Sequence, residues 1–102
     1  MMKIIVLFNL KPGVSVEAYE AWARGTDIPG VRALKSVSGY HVQRATGILG
    51  SGDPSPYAYI EIIEIGDVAL FGEEAAGPVV QALAADMRNY ADDPVFITSD
   101  EL

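Results

Sequence analysis

The chain has 102 residues, with 14 acidic against 7 basic side chains, a formal net charge of -7, one histidine and no cysteine. One domain spanning 1–102 is the reading of that length, and its single core is modest enough that a second copy would add useful apolar burial. The missing cysteines exclude a thiol nucleophile, a thiolate zinc site, an iron–sulfur centre and a disulfide scaffold, and the acidic balance argues against nucleic acid or an anionic membrane as partner.

Ile4-Ile5-Val6-Leu7-Phe8 is an apolar, β-branched run that Pro12-Gly13 stops, which predicts the first strand. The run is far short of the roughly 20 residues needed to span a bilayer, and no small-residue cleavage site follows it, so a cytoplasmic protein is expected. Ser15 caps the next helix, where Tyr19, Trp22 and Ala23 recur on one face and Glu17, Glu20 and Arg24 point to water. Gly25 or the Ile28-Pro29-Gly30 turn ends that helix, because the residue before proline is pushed out of the α region.

Residues 33–46 read as an extended strand, with Tyr40 and Val42 on one parity and Val37 and His41 on the other. Three glycines and two prolines between Gly47 and Pro56 predict a long hairpin loop or flap. Tyr57 to Ile65 is the clearest central strand. Both of its faces are apolar apart from Glu61 and Glu64, as in a sheet covered by helices on one side and a second subunit on the other. Tyr59, Ile63 and Ile65 are the set whose cover a lone chain leaves unexplained.

Val68 to Ala76 predicts a short helix, broken at Gly77 and restarted by Pro78, with Val79, Val80, Leu83, Ala84, Met87 and Tyr90 forming its apolar stripe. Val95-Phe96-Ile97-Thr98 is a short final edge strand after Pro94. The order βαββαβ points to an α+β, ferredoxin-like domain with a four-stranded antiparallel sheet, two of which pair face to face as a dimeric α+β barrel.

Candidate chemistry rests on few groups. An imidazole can exchange protons near neutral pH, which makes His41 a candidate within its strand, yet a lone strand histidine also satisfies a structural hydrogen bond or faces solvent. Glu61, set in Tyr-Ile-Glu-Ile-Ile, must find water, a partner or a pocket. The two are the candidate catalytic acid and base, with the alternative that His41 braces a dimer and Glu61 bonds Arg44. Asn9 suits a carbonyl, lactam or pyrrole ligand, or caps the Lys11-Pro12 turn. Tyr19 and Trp22 on the first helix, with Tyr40 and Tyr59 on the sheet, line a flat aromatic pocket or simply the core. Arg44 holds an acidic substrate, balances Glu61 or is simply an exposed strand arginine, and Asp27 is either a base or a helix-ending surface acid. Gly47-Ile48-Leu49-Gly50-Ser51-Gly52 lacks the lysine and helix of a phosphate loop, and no spacing of His, Asp and Glu suggests a metal site. No cofactor is expected.

Ile4-Val6-Phe8 with Lys11-Pro12-Gly13-Val14-Ser15 and Asp27-Ile28-Pro29-Gly30-Val31 resembles the EthD-like dimeric α+β barrel superfamily. Tyr40-His41-Val42-Gln43-Arg44, Tyr57-Ala58-Tyr59 and Asp93-Pro94-Val95-Phe96 are most similar to its RedY and HapK group, associated with prodiginine and related pyrrole or indole pigments. Many EthD-like chains have His where Asp27 stands. The resemblance implies a homodimer that acts on a small pyrrole- or indole-derived intermediate by cofactor-independent condensation, cyclisation or related acid–base chemistry. The alternative it leaves is a noncatalytic carrier of a reactive hydrophobic intermediate.

Overall fold

A computed structural model describes residues 2–102. Strand β1 (Met2–Leu10) leads to helix α1 (Val16–Trp22), a π-helical turn (Ala23–Asp27) and helix α2 (Ile28–Arg32). Strands β2 (Val37–Arg44) and β3 (Tyr59–Ile65) form a hairpin, and helices α3 (Val68–Ala75) and α4 (Pro78–Met87) return the chain to strand β4 (Ala91–Asp100). All neighbours in the sheet order β2-β3-β1-β4 are antiparallel. Each helical crossover skips the adjacent strand, so two split βαβ units interleave in the ferredoxin-like arrangement.

Register decides which side chains share a face. Val6 stands opposite Glu61, Phe8 opposite Tyr59, and Val42 and Arg44 pair with those same β3 positions. Val6, Phe8, Tyr40, Tyr59 and Ile65 are buried beneath the helices, where Tyr19 fills the centre. Tyr19 meets Phe8 edge-on at 5.5 Å and Tyr59 at 4.7 Å between ring centroids, the offset geometry that aromatic quadrupoles favour. The helices therefore already cover Tyr59, Ile63 and Ile65, and the side left for a partner is the opposite one. That open face carries Ile5, Leu7, Ile60, Ile62, Val95 and Ile97, with Val95 and Ile97 each 42% exposed.

Three segments depart from expectation. The first helix does not stop at Gly25 or Pro29. Ile28 donates its N–H to the Ala23 carbonyl five residues back, a π turn that inserts one residue and lets Pro29 fall in the first turn of α2, where its missing N–H costs nothing. Residues 33–36 form a turn rather than strand, held by Glu74 of α3, whose carboxylate accepts from the Lys35 and Ser36 N–H groups at 3.1 and 2.9 Å. The final strand is longer than 95–98. A bulge around Asp93, at φ 45°, takes up an extra residue opposite β1 and accommodates Pro94 within an edge strand.

The remaining elements form where the residues point. Ser15 caps α1 by accepting from the Ala18 N–H at 3.1 Å, and Asp67 caps α3 in the same way from Leu70 at 3.0 Å. Gly77 separates α3 from α4, with Pro78 in the opening turn of the latter. Gly30 of α2 faces Leu83 of α4 so closely that a Cβ there would lie 3.2 Å from its Cδ1. No helix among the described residues is long and apolar enough to cross a membrane.

Candidate functional site

A cavity of about 210 Å³ lies between the helices and the sheet. Val31, Leu34, Ile63, Phe71, Val80, Leu83, Ala84, Met87, Pro94 and Phe96 give it apolar walls, and Asp27, Glu61, Tyr40 and Arg88 supply its polar groups. The two carboxyls are buried, Glu61 at 3% exposure and Asp27 at 5%, while Phe96 at 59% and the exposed Arg88 mark the solvent side.

Each carboxyl reaches the cavity for a local reason. Glu61 holds an inward position in a strand whose neighbours Tyr59 and Ile63 also face the helices. Asp27 ends the π turn, and the added residue rotates it inward from the surface position that a simple helix end implies. The Tyr40 hydroxyl donates to Asp27 Oδ2 at 2.6 Å, and the Tyr19 hydroxyl approaches Glu61 Oε2 at 3.5 Å.

Electrostatics separate the pair. Burial, and then the neighbouring Asp27 charge, push Glu61 up to about 8 against the hydrogen bonds that favour its ionised form. Burial also raises Asp27, opposed by the short bond from Tyr40. Tyr40 and Tyr19 are themselves raised by burial and by the adjacent carboxylates, so they act as neutral donors. Glu61 therefore keeps its proton near neutral pH, while the short Tyr40 bond works against burial at Asp27; a proton-bearing carboxyl beside one stabilised toward its ionised form suits acid–base chemistry.

His41 does not join them. It pairs with Ile62 on the open face, half exposed, with Nε2 3.6 Å from Glu64 Oε1, so the sheet separates it from Glu61. Arg44 does not pair with Glu61 either. Its guanidinium grips Glu20 at 2.7 and 2.6 Å, and Glu20 also accepts from the Tyr59 hydroxyl at 2.8 Å and from Arg24 at 3.1 Å. Glu20 is thus buried instead of facing water, because one turn of α1 lays it over the Arg44–Tyr59 cross-strand pair. These hydrogen bonds, those from Arg44 foremost, hold Glu20 down to about 2, and desolvation with the Glu20 bond pushes Tyr59 up to about 12. A second, more polar pocket of about 240 Å³ surrounds this cluster and includes Tyr19, Tyr59 and Val42.

The other expected contacts fall elsewhere. Asn9 does not cap the Lys11-Pro12 turn and lines neither of the two pockets. It donates to the Pro56 carbonyl at 3.1 Å and accepts from the Ala58 N–H at 2.9 Å, so both ends of its amide latch the β2–β3 loop to β1. Trp22 stacks on Tyr90, with centroids 5.2 Å apart, and lines neither pocket. Arg88, Phe71 and Phe96 join the cavity with no sign of it in their local sequence, whereas the helical stripe through Val80, Leu83, Ala84 and Met87 marks that wall. Among the described residues, no group of three or more His, Asp or Glu side chains is placed to hold a metal ion.

The sequence matches the family model described as "REDY-like protein HapK" over residues 2–102. The crystal structure of HapK from Hahella chejuensis is 26% identical with a TM-score of 0.79, covering 100% of this chain and 93% of that one. An ethyl tert-butyl ether d (EthD) family protein from Bacillus halodurans has the same fold at 19% identity and TM-score 0.77, over 100% and 99% of the two chains. So does a protein from Thermobifida fusca described as dimeric, ferredoxin-like and of unknown function, at 18% identity and TM-score 0.72, over 98% and 90%. No curated protein matches the chain. A family match that runs from residue 2 to the last residue, on a chain with this strand order, means that the chain belongs to the REDY-like HapK family.

Proposed function

We propose that the chain is a cofactor-independent tailoring protein acting on a pyrrole- or indole-derived intermediate in prodiginine-like pigment or antibiotic biosynthesis. The Asp27–Glu61 pair inside an apolar cavity carries this reading. The walls take up a flat hydrophobic body and exclude water. Asp27 accepts the proton that a carbon or nitrogen nucleophile loses, and Glu61 gives its proton to the oxygen of the carbonyl under attack. Loss of that oxygen as water completes a condensation or cyclisation. The addition leaves Asp27 protonated and Glu61 ionised; Asp27 then protonates the departing hydroxyl and Glu61 takes the proton lost from the adjoining carbon or nitrogen, so water leaves and both groups return to their starting forms. The Tyr40 hydrogen bond favours the ionised form of Asp27 against the burial that opposes it.

Turnover of candidate bipyrrole and bisindole intermediates, followed by mass spectrometry, tests the reading. Glu61→Gln and Asp27→Asn should each slow product formation by roughly 10²–10⁴-fold, the range for loss of a positioned acid or base. His41→Gln should leave the rate unchanged, since the sheet lies between it and the cavity. Binding without product in the parent protein would replace catalysis with a carrier role.

The same proposal includes a homodimer joined through the open sheet face. Six aliphatic side chains stand there on one continuous surface, and a chain of 102 residues has little other core to spare them. A solved protein of the same fold is described as dimeric. In that assembly His41 and Glu64 border the interface, which is the bracing alternative for the histidine.

A further inference from the structure

The Asp27–Glu61 end of the cavity is short of hydrogen-bond donors. Glu61 Oε2 receives a long 3.5 Å contact from Tyr19, the nearby Tyr40 hydroxyl is committed to Asp27 at 2.6 Å, and Glu61 Oε1 accepts no hydrogen bond among the described residues although the residue is only 3% exposed. Asp27 uses Oδ2 for Tyr40, and its Oδ1 accepts no hydrogen bond among the described residues. These oxygens are accessible from the cavity and have no donor from the protein, so they are open to donors that a ligand brings. The chain's cations do not supply it: Arg24 and Arg44 are engaged by Glu20, and Arg32 donates twice to the Tyr40 carbonyl at 3.1 and 2.9 Å. Among the lining residues Arg88 is the sole cation, and it stands exposed at the end of α4.

We infer that the cavity binds its ligand as a flat nitrogen cation, an amidinium, iminium or protonated heterocycle, whose N–H groups fill the vacant oxygens of Asp27 and Glu61. This deepens the acid–base reading of the same site by assigning the charge of the species held there. Aromatic and sulfur-bearing walls, Phe71, Phe96 and Met87, suit the delocalised face of such a cation. Entry of the cation favours two carboxylates over one, so it loosens the hold of Glu61 on the proton that the acid step gives away. The groups facing Glu61 are Tyr19 from α1, Asp27 from the π turn, Tyr40 from β2 and Arg88 from α4, and of these only Arg88 opposes a cation.

Benzamidine, benzamide and benzoate are near-isosteric probes that differ in charge. Calorimetric titration of the whole protein should rank benzamidine at least about tenfold tighter than benzamide at about pH 9, with benzoate weakest. Benzamidine affinity should rise roughly tenfold between about pH 6 and pH 9 as the Glu61 proton is lost more readily, while benzamide stays flat. Glu61→Gln should abolish that rise. A pH-independent benzamidine affinity, benzoate binding as well as benzamidine, or no binding of any probe would overturn the inference. Equal binding of benzamide and benzamidine, weakened alike by Glu61→Gln, would overturn it too and leave acid–base catalysis on a neutral ligand intact. A cation preference without turnover would sustain it while the proposed catalysis fails.

Discussion

Glu61 costs the fold something at neutral pH. Its proton affinity in the folded chain corresponds to a value of about 8, above that of an ordinary glutamate. Between roughly pH 4.5 and pH 8 the folded state therefore binds more protons at this site than the unfolded state, and stability falls as pH rises through that window. Urea unfolding at pH 5.5 and 8.5 should show the decline in the parent protein. Glu61→Gln, which cannot ionise, should flatten it and exceed the parent by on the order of 2 kcal/mol at the higher pH. A parent curve with no decline would remove Glu61 from the role of buried acid. Little of this was legible beforehand: an acidic residue in an apolar strand announces an unusual environment, but its partner Asp27 lies 34 positions away and reaches it only through the π turn.

At the scale of the elements, the Glu20 cluster ties α1 to the β2–β3 hairpin. Glu20→Ala removes acceptors for Arg44, Arg24 and the buried Tyr59 hydroxyl together, and should cost roughly 1–3 kcal/mol in chemical denaturation at pH 7. Because Glu20 is held down to about 2 in the folded chain, its contribution is present above the ordinary glutamate range and fades as pH falls through that range toward 2. The difference between parent and variant should shrink in acid accordingly. Gly30 is a second element-scale constraint, since Gly30→Val would push branched carbons into Leu83 and force α2 away from α4. Overpacking of that kind costs about 1–3 kcal/mol and should lower the thermal midpoint while narrowing the cavity that Leu83 lines.

The whole molecule leaves one sheet face without a cover. Light scattering should give a mass near twice 10.9 kDa for the parent at micromolar concentration. Ile97→Lys, on the open face of the edge strand, should shift the protein to a single-chain mass with its helical signal intact, because a lysine there buries a charge only when two sheets meet. A parent that runs as a single chain would refute the barrel. His41→Gln should change dimer content if His41 and Glu64 border that interface, and should do so without altering turnover.

Period-two alternation and the glycine and proline breaks were enough to specify βαββαβ, the ferredoxin-like sheet and the division of α3 from α4, because these are local preferences written every two to four residues. Which residues meet was another matter. The β2–β3 register sets His41 beside Ile62 on one face while Glu61 turns to the other, and the fourteen-residue connection 45–58 hides that register from any count along the chain. One extra residue in a π turn carried Asp27 into the cavity, and one turn of α1 carried Glu20 onto Arg44. The elements follow from short-range sterics and hydrophobic spacing; the site follows from rotation and register, which only packing against the sheet decides.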